Sequence, residues 1–418
     1  MTASTATIGQ LIKTKREAHG WTQKELAEKA DVSPATVSGA ENERFIPSPE
    51  ILHRLAMTLQ LPLPDLIDRL PALKFDTLLE IVQIYRHLLE IDRAFDLIAR
   101  AKAEPHLMDY QRDALQFEEG SMLIIKPDTR MQGVEMLSAL VTQVEAAPRP
   151  DPLFVIKIHN SLGSAWYMSR DFYTAKHHYQ RAIELLHSHP TVEDKVVPAL
   201  YYNIASCLVT VRQERLAVDY LNRAIPLMKT YRLPYFEGSC YYMLGVCYSA
   251  LGEPDNSAAY YRKAVPFYEA AGDLRYAVRS RSYSYFYGPD APQETIPVLE
   301  EELVLLADLL DDDEKAATHA RIAKLHLDLG DLHAACAQLD CAKRLITSTE
   351  PKEERGIYLL TAARYLLAAG EYEAASSYAN EASEVYASLR YYNVDLQEAL
   401  NLSRIALQRL RDSFGLAP

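Results

Sequence analysis

The sequence predicts an all-α protein in two parts: a head of five short helices, then a long array of antiparallel helix pairs. Three observations carry this expectation. Residues 22–42, TQKELAEKADVSPATVSGAEN, hold two short helical segments joined by a tight turn. Beyond Pro71 the β-branched clusters and glycines thin out, and Ala, Leu and Tyr recur with helical spacing. Within that stretch a pattern of small and large residues returns roughly every 40 positions.

The head begins with an amphipathic segment carrying Ile8, Leu11 and Ile12 and then Lys15 and Arg16. Thr22 is a natural N-cap for the second segment, with Glu25 three residues on completing a capping box. Ser33 caps the third, and Pro34 takes its first position, where a missing N–H costs nothing. Leu26, Ala27, Val32, Val37 and Ala40 sit where the two crossing helices must touch. Pro47, Ser48 and Pro49 lead into a fourth helix with Ile51, Leu52, Leu55, Ala56 and Leu59, and Leu63–Leu70 forms a fifth.

Residues 22–42 have the sequence form of a helix-turn-helix, whose second helix enters the DNA major groove. With Ile8–Gly9, Glu41 and Pro47–Ser48, the head resembles the phage-repressor/Cro-like helix-turn-helix domains over about the first sixth of the chain. It departs from them at Asp31, where glycine is usual but Asp tolerates a left-handed backbone. It departs again at Gly39, which weakens the second helix of the motif by roughly 1 kcal/mol relative to Ala. With Val37, Ala40 and Glu41 turned inward, the outer face carries Ala35, Ser38, Gly39 and Asn42, with Ser33 and Thr36 at the entry. The resemblance implies that Gln23, Asn42 and Arg44 hold phosphates. The face lacks Arg and Gln, so bidentate base reading is limited to Asn42. Specificity is expected from hydroxyls, from Ala35 against thymine methyls, and from DNA shape.

Charge bounds the partners. Residues 1–75 hold nine basic and nine acidic side chains, so the whole net charge of −13 falls on the remainder. A neutral head binds DNA weakly as a single copy, which argues for a homodimer on a two-part site. The acidic body adds no nonspecific affinity for nucleic acid. Cys207, Cys240, Cys247, Cys336 and Cys341 form no CxxC pair and fall in Ala-rich helical patterns, so they are expected as reduced thiols. No apolar run reaches a membrane span of about 18–20 residues, and the start lacks a signal-peptide core, so a cytoplasmic protein is expected. Phosphate-binding glycine loops, catalytic triads and paired acids are not found, nor is a metal-ligand spacing for His319, His326 and His333. Neither catalysis nor a metal or cofactor is expected.

The array reads as successive copies. One has Leu162–Gly163, Trp166, Ala175, Tyr179 and Ala182; the next has Ile204–Ala205, Leu208, Ala217, Leu221 and Ala224. A third has Leu244–Gly245, Tyr248, Gly252, Ser257, Tyr261 and Ala264. Further copies run from Ala323 to Ala342 and from Ala363 to Ala382, with degenerate ones near 76–104, 113–146 and 275–310 and a closing helix at 393–412. This pattern resembles the tetratricopeptide repeat, which implies a right-handed superhelix with a concave inner face. The expected domains are 1–70 for the DNA-binding head, 71–75 for a linker, and 76–418 for the repeats.

A helix-turn-helix head on such an array resembles the peptide-responsive quorum-sensing regulators of the Rgg/NprR/PlcR/PrgX type. The resemblance implies a transcriptional regulator gated by a short signalling peptide bound in the concave groove. Helical register places Lys157, Asn160, Ser164, Tyr202, Asn203, Ser206, Tyr242, Ser249, Arg279, Tyr283, Arg321, Lys324 and Arg364 toward that groove. The arginines and Lys324 suit a peptide carboxylate, and Asn160 and Asn203 suit a peptide backbone. Tyr202, Tyr242 and Tyr283 belong to a tyrosine-rich set that repeat packing largely explains. Two other readings stay open: repeats that bind a partner protein such as a response-regulator domain, and a constitutive phage-type repressor whose array only dimerises.

Overall fold

The computed structural model describes residues 7–45, 47–61, 75–88, 90–103, 107–346, 350–389 and 393–413. The described residues form helices and turns only. Two compact units divide at Pro150–Asp151.

The first unit opens with α1 (Ile8–Ala18), α2 (Gln23–Lys29), α3 (Pro34–Glu41) and α4 (Pro49–Thr58). Each start is capped by a hydroxyl. Thr22 and Glu25 close the expected capping box, Thr7 and Gln10 close another, and Ser33 and Ser48 accept from Thr36 N–H and Ile51 N–H. Asp31 at the turn is left-handed, with φ 51°. The expected fifth helix at 63–70 and all but Phe75 of the expected linker lie outside the described residues. Two helix pairs follow, α5 (Phe75–His87) with α6 (Ile91–Lys102) and α7 (Asp109–Leu123) with α8 (Arg130–Glu145). One apolar core runs from Ile12, Leu26, Val37 and Leu55 through Ile81, Val82 and Ile98 to Leu115. These two leading pairs therefore fold in one unit with the head.

The second unit holds six pairs and a closing helix. They are α9 (Pro152–Met168) with α10 (Phe172–Ser188), α11 (Val196–Thr210) with α12 (Glu214–Thr230), and α13 (Pro234–Ala250) with α14 (Pro254–Ala270). Then come α15 (Leu274–Phe286) with α16 (Pro292–Leu305), α17 (Asp312–Asp328) with α18 (Leu332–Leu345), α19 (Glu353–Ala369) with α20 (Tyr372–Leu389), and α21 (Asn393–Ser413). The small residues of the repeat mark where paired helices touch. At Gly245 an added Cβ would stand 2.8 Å from the buried ring of Tyr261. In five of the six pairs the turn inside the pair holds a left-handed residue. It is Gly252, Gly330 and Gly370 in three pairs but Arg170 and Arg212 in the first two; Arg232 and Gly272 do the same between pairs. The five cysteines are free thiols, and among the described residues no helix is long and apolar enough to cross a membrane.

Candidate functional site

In the first unit, the outer face of α3 is set by an ion pair behind it. Arg16 of α1 donates to Glu41 through Nε at 2.5 Å and Nη2 at 2.9 Å, and its Nη1 donates to the Trp21 carbonyl at 2.7 Å. Both side chains are buried, which fixes the rotation of α3 about its axis. The Glu41 hydrogen bond holds the Arg16 pKa above its ordinary value, outweighing the burial that works against the cation. Gln23 also donates to Glu41, at 2.8 Å, so its amide is engaged inside the domain. The Ser33 and Thr36 hydroxyls share a hydrogen bond of 2.7 Å. Asn42 donates to the Ser38 carbonyl at 2.8 Å. Ser33, Ala35, Asn42 and Arg44 are exposed, while Thr36 and Ser38 are half-buried. One expectation is corrected: Gly39 is buried instead of open on the outer face, because the ring of Phe45 lies on it.

In the second unit, the array curves around a cavity of about 710 Å³. Its wall comes mainly from the first helices of the pairs: Tyr167 on α9, Ser206 and Thr210 on α11, Tyr242 and Ser249 on α13, Arg279 and Tyr283 on α15, Arg321 on α17 and Glu353 on α19. Tyr242, Tyr261, Tyr283 and Tyr287 form a continuous aromatic surface with successive ring centroids 5.3 to 6.2 Å apart. Burial pushes the hydroxyls of Tyr242 and Tyr261 well above their ordinary pKa, so both are neutral donors at any physiological pH.

Arg321 crosses this surface. It is 6% exposed, its guanidinium sits 5.2 Å from the Tyr283 ring, and its Nη2 lies 3.5 Å from the Tyr283 hydroxyl. Its Nε has no hydrogen-bond partner. Burial opposes its charge, but Tyr283, Tyr287, Glu302 and Glu353 more than offset that, and the pKa is raised. Arg279 beside it donates to Glu314 at 2.9 Å and lies 3.9 Å from Glu302, which is fully buried. Glu314 accepts from Asp311 N–H in a capping box and also ties Arg275 and Arg279.

Of the expected groove residues, Tyr242, Arg279, Tyr283 and Arg321 come together in this lining, with Ser206 and Ser249. The remainder lie elsewhere and are paired. Asn203 donates to Asn160 at 3.0 Å, Lys157 meets Asp194 at 3.0 Å, Lys324 meets Asp328 at 3.1 Å, and Arg364 donates through Nε to Glu398 at 2.7 Å. Tyr202 is half-buried outside the lining. Sequence reasoning missed Arg170, Arg212, Glu353 and Asp395 in the lining. The arginines follow directly on first helices, and reading the left-handed slot of each pair across the repeat would have found them.

A family model for the helix-turn-helix matches residues 12–66, and one for the tetratricopeptide repeat matches residues 238–265. No curated protein matches the chain. Among solved structures, the apo form of RapI is similar over 81% of this chain and 98% of its own, at 11% identity and a TM-score of 0.56. NprR in complex with its cognate peptide NprX is similar over 78% of this chain and 82% of its own, at 14% identity and 0.45. PlcR of Bacillus thuringiensis in complex with the peptide PapR7 and DNA is similar over 66% of this chain and 99% of its own, at 19% identity and 0.42. The chain thus joins a helix-turn-helix domain to an all-helical array of tetratricopeptide type.

Proposed function

We propose that the protein is a DNA-binding transcriptional regulator gated by a short peptide with a free carboxylate, held in the cavity of the second unit. The observation that carries this reading is Arg321, a buried cation with an unpartnered Nε in a cavity walled by tyrosines. Leaving a buried charged donor unsatisfied is costly, and Arg279 Nε and both carboxylate oxygens of Glu302 beside it likewise have no hydrogen-bond partner. A carboxylate supplies the missing acceptor, and the tyrosine faces take apolar side chains beside it. The volume of about 710 Å³ lies in the range of small-ligand sites. The helix-turn-helix head supplies the output, as a homodimer on a two-part duplex because the head is neutral.

The test is titration of the full-length protein with synthetic peptides encoded in short reading frames beside its gene, each with a free and an amidated C-terminus. Expected is a peptide that binds in the free form, at least about tenfold more weakly when amidated, and not to Arg321→Met. The same peptide should change affinity for DNA from the gene's upstream region. Equal binding of the amidated form, or DNA affinity indifferent to every bound peptide, would sink the reading.

A further inference from the structure

The face of α3 lacks long side chains for base reading, yet it carries an aromatic ring that the helix does not itself encode. Phe45 follows the helix, and its chain returns so that the ring lies on Gly39. A Cβ at Gly39 would stand 2.1 Å from Phe45 Cε1 and 2.9 Å from Cδ1. Gly39 shares its side of the helix with Ala35, one turn earlier, and with Asn42, three residues later. Both are exposed, and Phe45 as a residue is 46% exposed although one side of its ring lies on Gly39. A mid-helix glycine costs about 1 kcal/mol relative to Ala; here it provides the seat.

We infer that Phe45 is a specificity-determining residue of the DNA face, reading thymine 5-methyl groups in the major groove together with Ala35. This rests on the DNA-binding reading above. The physical basis is that an apolar contact to the thymine methyl is the one base-edge interaction requiring neither donor nor acceptor. Ala35 offers a single methyl group to that contact. A half-exposed ring held a turn away extends the apolar surface along the helix and loses little entropy on binding, because Gly39 already fixes it.

The experiment selects duplexes with the full-length protein from a random pool, then replaces each thymine of the selected site by deoxyuridine, which removes only the methyl. Expected is at least one position where wild type loses roughly fivefold in affinity. Phe45→Ala should erase that loss, and Phe45→Leu should keep part of it. Gly39→Ala should behave as Phe45→Ala because it evicts the ring, although alanine favours the helix; thermal unfolding of each variant separates a folding defect from a lost contact. The inference fails if deoxyuridine weakens Phe45→Ala as much as wild type, or if no thymine matters. Recovery of no specific duplex overturns the DNA-binding reading and this one with it.

Discussion

Arg16 and Glu41 lie 25 residues apart and meet in the interior of the head through two hydrogen bonds, with both side chains nearly excluded from solvent. The pair joins the first helix to the end of the third. It also takes up Gln23, so three helices converge on one carboxylate.

Removing one partner leaves an uncompensated buried charge, a loss of about 3–5 kcal/mol. Glu41→Ala should therefore lower the stability of the first unit by that order, read in urea unfolding of the full chain. The double substitution Arg16→Met, Glu41→Leu should recover most of the loss, since it removes both charges and fills the space.

Gly245→Ala places a methyl 2.8 Å from three atoms of the Tyr261 ring, which is buried at the cavity wall. Overpacking of this kind costs about 1–3 kcal/mol. The midpoint of thermal unfolding should fall, and Tyr261→Leu in the same chain should restore part of it.

His178 meets His159 through their Nδ1 atoms at 3.1 Å. Burial first, and His159 second, lower its pKa to about 4 from 6.5. The unfolded chain binds this proton more tightly than the folded one. The contribution is complete above pH 6.5 and is lost as pH falls from there toward 4. It amounts to an order of 2–3 kcal/mol. Stability measured from pH 7 to 4 should drop more steeply in wild type than in His178→Gln.

Burial raises the thiols of Cys207, Cys240 and Cys247, to about 11, 12 and 12. At pH 8 all three are protonated and enclosed, whereas Cys336 and Cys341 are half-buried. A thiol reagent should therefore modify Cys336 and Cys341 in the native protein and reach the other three only in denaturant. Rapid native labelling of Cys240 would contradict the packing described here.

The head was legible because its signals are local. A hydroxyl cap, a proline at the first position of a helix and an Asp in the left-handed turn act within four residues, and each stands where the sequence puts it. The repeat was legible because small and large residues keep their offsets. The cavity was legible only in part. Helical register identifies the side a residue faces, which selected Tyr242, Arg279, Tyr283 and Arg321. It does not identify what waits on that side. Asn203 donates to Asn160 and Arg364 finds Glu398 more than thirty residues away, pairings between helices that register within one helix does not give. Gly39 was misread for a related reason, since the ring that covers it comes from outside the helix.

The left-handed turns carry a further consequence. Three pairs place glycine there at no steric cost, whereas Arg170 and Arg212 hold the same slot at φ 61° and 62° and border the cavity. A side chain in that conformation costs about 1 kcal/mol. The array is thus less stable than glycine in these turns would make it, and two of the three arginines that hold a left-handed turn border the cavity. Replacing both arginines by glycine would relieve the turns at the cost of two positive charges beside the cavity and of the contact from Arg212 to Glu214.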